Sequence, residues 1–266
     1  MRSDRRALLS AAVCLALLLA AMPVCGCGER TQLMNLSDYK KSISELHDGV
    51  AWDLGYTLES LGSLDPENYY QLSDLQAVFQ GAHDIFAAAY AEADSLYPPE
   101  EAEPLHLDLL HFYAEGQEET GMMVNSMGLF QVVLPMLADM ENLALPSLAE
   151  GVQLPEVKAA AEEDHRTMDM YLHEVEGMVP PEDLQAFLDE LRRFFQSLRD
   201  MVVAVEQTTT QEDRNAFLQL RQQWPSLMDK VRDFREFCDR YRAGLGGRID
   251  GLIERGRELA SRIQEL

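Results

Sequence analysis

Between residues 42 and 157 the chain has no lysine or arginine at all, against 21 aspartates and glutamates. A surface so short of cations is a poor fit to nucleic acid, because phosphate contacts need basic patches. The formal net charge is −24. Such a field attracts cations or a basic protein partner and keeps the chain well solvated. Cysteine is almost as scarce. Of four cysteines, Cys14, Cys25 and Cys27 fall in the first 27 residues, leaving Cys238 alone in the remainder. A disulfide framework and a cysteine-based metal cluster are both excluded for that remainder. The sequence has no Gly-rich phosphate loop, no Gly-x-Ser-x-Gly elbow, no His-Glu-x-x-His and no EF-hand loop. The expectation is therefore a protein that is not an enzyme and carries no resident cofactor. Strand-forming runs are few, whereas Ala, Leu, Glu, Gln and Met are abundant, which predicts an all-α fold.

What is present begins with a basic amino terminus. Arg2, Arg5 and Arg6 precede an apolar run from Ala7 to Val24, and Val24-Cys25-Gly26-Cys27 follows. A basic segment, an apolar segment and small residues at a cleavage point make a secretory signal. The arrangement resembles the signal peptide of bacterial lipoproteins, over about the first tenth of the chain. The resemblance implies that Val24 and Gly26 are the signal-recognition positions and that Cys27 is the lipid-attachment residue. Cys25 takes a place where that family more often has Ala, Ser or Thr. The implied location is the extracytoplasmic cell envelope, with the membrane as a partner through the lipid anchor. The same apolar run also just reaches the length of an uncleaved signal anchor, and Asp4-Arg5-Arg6-Ala7-Leu8-Leu9 has the look of a twin-arginine signal. On this reading residues 1–27 are the signal and 28–34 a tether.

The rest is organised by a proline pair that occurs twice. Leu96-Tyr97-Pro98-Pro99-Glu100-Glu101 is answered 82 residues later by Met178-Val179-Pro180-Pro181-Glu182-Asp183. Each copy reads as a helix stop followed by a helix start, since the residue before proline leaves the α region and proline suits the first helical turn. The helix ahead of each pair carries an apolar seam: Leu75, Phe79, His83, Phe86, Tyr90, Ala93 and Tyr97 in one copy, and Val157, Ala161, His165, Met168, Leu172, Val175 and Val179 in the other. A third segment in each copy holds a proline, Pro135 and Pro225, and the polar run Thr208 to Glu212 reads as an enlarged loop between the second and third segments of the later copy.

The predicted architecture is a helical bundle of two related three-helix units with extra amino- and carboxy-terminal helices. Residues 35–155 hold the first unit and its leading helix, Asn35 to Leu64, capped by Ser37 and carrying Trp52 and Tyr56 as packing residues. Residues 156–266 hold the second unit and a carboxy-terminal amphipathic helix that follows Gly244, Gly246 and Gly247. That last helix has four arginines and four acids between Arg248 and Glu265. So balanced a polar face suits packing on the bundle or on a partner helix.

His83 and His165 hold equivalent places in the two seams. With turns at the prolines they are expected opposite Tyr113 and Phe195, as structural histidines; a metal or haem site built from the pair is the alternative. His173 and Glu176 form His-x-x-Glu, which puts both side chains on one helix face in the reverse of the Glu-x-x-His order used by di-iron carboxylate bundles, and the methionines 122, 123, 127, 136 and 140 are read as adaptable core packing, with soft-metal binding the alternative. The functional expectation is a membrane-tethered lipoprotein with a non-enzymatic binding or scaffolding role, its acidic surface the contact face.

Overall fold

A computed structural model describes residues 33–64, 68–147, 153–211 and 214–266. The signal segment with Val24, Gly26 and Cys27, the Asp65-Pro66-Glu67 breaker, Gly151 and Glu212 lie outside the described residues. Within them the fold is an all-α helical bundle, and no strand occurs. In chain order the helices are α1 (Leu36–Glu59), α2 (Leu72–Asp94), α3 (Glu103–Asp139), α4 (Ala144–Ser147), α5 (Leu154–Glu176), α6 (Gln185–Thr210), α7 (Arg214–Arg221) and α8 (Trp224–Glu265).

Helix α1 is capped two residues earlier than Ser37. Asn35 is extended, and its side-chain oxygen accepts the Asp38 N–H at 2.9 Å, so Ser37 is already inside the first turn. Helix α2 grows directly out of a short 3-10 turn, Tyr69–Gln71, with Ser73 and Asp74 inside its first turn. Both proline pairs stop one helix and lead into the next as expected. The chain leaves α2 at Asp94, passes Pro98 and Pro99, makes the 3-10 turn Glu100–Ala102, and enters α3. The second copy repeats this through Glu182–Leu184 into α6. α2 packs antiparallel on α3, with Phe86 against Phe112 and Gln76 bonded to the Val124 carbonyl. α5 packs antiparallel on α6, where Tyr171 meets Phe195 and Arg192 reaches the Val175 carbonyl.

Three expectations change. Pro135 does not start a separate third helix, because α3 runs unbroken for 37 residues and Pro135 sits in its last turns. There the lost N–H bond is a single one and little helix remains beyond it. The run Thr208 to Thr210 is helical, each hydroxyl donating back to a carbonyl of Val205 or Glu206. Gly244, Gly246 and Gly247 do not divide the final segment either, since α8 is one helix of 42 residues.

Those three glycines are exposed, and a Cβ at each would meet nothing within 4 Å. Mid-helix glycine costs about 0.5–1 kcal/mol relative to alanine. The triple change Gly244/Gly246/Gly247→Ala is therefore expected to raise the unfolding free energy by about 2 kcal/mol, read as a higher urea midpoint at unchanged m-value. An unchanged or lower midpoint would show that the bundle needs those positions unhindered.

The apolar residues gather in three clusters strung along the long helices. One joins α1, the second half of α2, the first half of α3 and the end of α8 through Tyr39, Ile43, Phe86, Leu109, Tyr113 and Ile263. The largest, around Phe130, Met127, Phe187, Phe195 and Phe234, joins the other half of α3 to α5, α6 and the start of α8. A small one closes α4, α5, α6 and α7 at Leu145, Val157, Val205 and Phe217. The stretch Glu100–Asp139 is long and apolar enough to cross a membrane, with a mean hydropathy of 1.4 in its best window, but half of that window is buried in the bundle. Here it works as a core helix. Its methionines Met123, Met127 and Met136, with Met140 just beyond it, are all buried.

α8 lies antiparallel along α3. Arg262 bonds Asp108 at 2.6 Å, Arg255 bonds Glu115, and Arg248 lies 3.6 Å from Glu119 and 3.0 Å from Asp183. The arginines are seven residues apart, so one stripe of α8 meets the lysine-free acidic stretch. Tyr241 adds a hydrogen bond to Asp183 at 2.8 Å, tying α8 to the second proline turn. At the first proline turn the corresponding place is taken by the chain entering α1, whose Met34 N–H reaches the Tyr97 carbonyl at 3.0 Å.

Candidate functional site

The seam histidines are not brought together. His83 lies on α2 over Gly121 of α3, its Nδ1 3.3 Å from Asp84. His165 lies on α5, with Nδ1 3.1 Å from Glu206 and Nε2 3.6 Å from Asp169. The two share no partner, and each stands at the edge of its helix pair, about a quarter exposed. Neither faces the aromatic ring expected of it. Each hairpin reverses about its short 3-10 turn, past the prolines, which moves the partner of each histidine further along the returning helix. Among the described residues no group of three or more His, Cys, Asp and Glu side chains could hold a metal ion. Hydrogen bonds from Gln80 and His83 hold the Asp84 carboxyl below the usual carboxylate range. His173 and Glu176 are both exposed.

Two other histidines are buried instead. His47 on α1 contacts the Gly256 carbonyl through Nε2 at 2.8 Å and the Tyr113 hydroxyl through Nδ1 at 3.1 Å. A carbonyl only accepts, so Nε2 carries the proton and Nδ1 accepts from Tyr113. His106 on α3 pairs through Nδ1 with the Tyr39 hydroxyl at 3.1 Å. Burial lowers the His106 pKa, keeping the ring neutral, and pushes the Tyr39 phenol up to about 12 and Tyr113 higher still. These pairs lock α1 to α3 and α8, and every one of their bonds is internal. Cys238 is buried and raised to about 12 by burial, an inert thiol.

Beside His47 lies a cavity of about 420 Å³. Its floor is Phe79, Ala82 and Phe86 of α2 with Phe112 and Thr120 of α3, and its walls are α1 and α8. Val50, Leu54 and Leu58 face Ile249, Leu252 and Ile253 across it. The polar atoms inside are already engaged. His47 has both nitrogens bonded, and the Thr120 hydroxyl donates to the Gly116 carbonyl at 2.6 Å. The interior asks for nothing polar, whereas its volume lies in the range of about 300–1,000 Å³ usual for small-molecule sites.

The opening lies between α1 and α8, where Asp48, Ala51, Gly55, Ile253 and Arg257 line the cavity and reach solvent. Ala51 and Gly55 are one helical turn apart on one lip, and Gly256 and Ala260 on the other. Four small side chains at facing positions leave the space that larger ones would fill. A Cβ at Gly55 would meet nothing within 4 Å, while one at Gly256 would stand 3.3 Å from Phe112. Next to this lip stand Trp52 and Tyr56, each 77% exposed. The expectation that they pack inward is overturned, because α1 buries its Tyr39, Ile43, His47 and Val50 stripe and turns these two rings away from it.

No family model, curated protein or solved structure matches this chain.

Proposed function

We propose that the protein is a lipid-anchored, non-enzymatic binding protein of the extracytoplasmic envelope that holds one small apolar molecule between α1, α2, α3 and α8. The single observation that carries this reading is the 420 Å³ cavity, apolar inside, open at one edge, with its inward polar atoms satisfied. The anchor rests on the basic amino terminus, the apolar run and the Val24-Cys25-Gly26-Cys27 sequence. The acidic surface becomes a secondary contact area. Asp108, Glu115, Glu119 and Asp183 already meet arginines of α8, and the other acids serve chiefly to keep the chain solvated. Duplication of a helical hairpin accounts for the architecture, and the 82-residue offset between α2 and α5, each of 23 residues, supports it.

The test is binding of a neutral polarity-sensitive dye such as Nile red to the purified protein and to Gly55→Trp. Gly55 is exposed and unhindered, so the indole blocks the opening without disturbing the core. One saturable site is expected in the native protein, with affinity lowered at least tenfold in Gly55→Trp at an unchanged melting temperature. Equal dye binding by both proteins would sink the assignment. Radiolabelled palmitate should label the native chain in a lipoprotein-processing host and fail to label Cys27→Ser; label retained by the variant removes the anchor at that residue.

A further inference from the structure

We infer that the cavity selects a single-chain carboxylic acid, with the alkyl chain inside and the carboxylate on Arg257. This rests on the binding reading above and adds the ligand class to it. Three of the four arginines between Arg248 and Glu265 are matched to carboxylates of the bundle: Arg248, Arg255 and Arg262. Arg257 is the exception. It lies on the lip of the cavity, and among the described residues no carboxylate lies within ion-pair distance of it. In a chain of net charge −24 an unmatched guanidinium beside an apolar opening is a specific place for an anion.

The rest of the opening agrees with an amphiphile. Behind Arg257 the walls are Ile249, Leu252, Ile253 and Phe112, which offer an alkyl chain contact and no hydrogen bond. His47 cannot take the headgroup, since its Nε2 is held by the Gly256 carbonyl and its Nδ1 by Tyr113. Asp48 stands on the opposite lip and repels an anion there, so the carboxylate sits on the α8 side. Trp52 and Tyr56 flank the α1 lip, exposed, and rings of this kind favour a boundary between water and hydrocarbon. That is where a fatty acid would enter.

The experiment measures displacement of the neutral dye by dodecanoate and by dodecanol, from the native protein, Arg257→Gln, Asp48→Asn and Gly55→Trp. Dodecanoate is expected to bind the native protein about tenfold more tightly than dodecanol. Arg257→Gln should erase that preference and leave dodecanol affinity unchanged; a merely structural arginine would weaken both or neither. Asp48→Asn should strengthen dodecanoate about twofold to threefold and leave dodecanol alone. Gly55→Trp should weaken both. Equal affinities in the native protein, or a preference that survives Arg257→Gln, overturns the inference while dodecanol binding keeps the cavity reading alive. Failure of both ligands to displace the dye from the native protein overturns both readings.

Discussion

Gly116→Ala should destabilise the protein by about 1–3 kcal/mol, the usual cost of forcing an atom into a filled core. The reason is local. A Cβ at Gly116 would stand 2.5 Å from two carbons of the Phe86 ring, and Phe86 is itself 2% exposed and packed edge-on against Phe112. The ring cannot withdraw without pushing on Phe112 and so on the floor of the cavity. In a chain of this size the melting temperature falls by about 2–4 °C per kcal/mol, which circular dichroism resolves easily. The pairing can be checked by its own compensation. Phe86→Leu in the same chain should recover most of the loss, and two losses that merely add would show that the clash is not the cause. Gly49→Ala serves as the control, because a Cβ there meets nothing within 4 Å.

The second large effect is at Asp164. This carboxylate on α5 is 2% exposed and accepts the N–H groups of Ala144 and Leu145, both at 2.8 Å, so a side chain from one helix caps the start of α4. Asp164→Ala strips the partner from two backbone donors and should cost about 2–4 kcal/mol, measured by urea unfolding. Burial raises the Asp164 pKa above the ordinary carboxylate value, and the two backbone bonds offset only part of that. The folded state therefore holds the proton more tightly than the unfolded state. Stability from this group is fully present below the unfolded pKa and is lost as pH rises through the raised folded value. Asp164→Asn cannot titrate and should not show that loss. The stability of the native protein relative to Asp164→Asn should thus decline as pH rises above about 4, the ordinary aspartate value, and a difference that stays flat above that pH would refute the assignment.

The sequence made the hairpins legible because proline acts locally. Pro98-Pro99 and Pro180-Pro181 constrain their own and the preceding residue whatever the rest of the chain does, so both turns fall where expected. The same rule misread Pro135, Gly244, Gly246 and Gly247, where packing along the length of α3 and α8 outweighs a local penalty of one bond or about 1 kcal/mol. Inside each helix the seam is buried apart from Tyr90 and the two histidines, and it fails beyond the helix end. Phe79 and Phe86 are buried, but Tyr97 is half exposed and Val179 is 93% exposed, since each lies beyond its helix in the turn.

The site was hidden for a different reason. His47 and His106 carry no periodic signal that separates them from His83; His47 is met by Gly256 of α8, 209 residues further along the chain, and His106 by Tyr39 of α1. The readable trace was the pair of small-residue steps, Ala51 to Gly55 and Gly256 to Ala260. Alone, each is a common spacing. Only the meeting of α1 with α8 turns them into the two sides of one opening.

The length of α8 has a consequence for the order in which the molecule can be completed. At about 1.5 Å per residue its 42 residues span roughly 60 Å and supply Phe234 and Leu245 to the largest core and Leu252 and Ile263 to the one beside the cavity. It is synthesised after all the other helices described. Until it arrives, both cores stand open along one side and the arginine partners of Asp108 and Glu115 are missing, so the nascent chain stays incompletely folded until α8 has been made. Removal of the last three turns would not trim an edge; it would take Gly256, Arg257 and Ala260 out of the cavity wall.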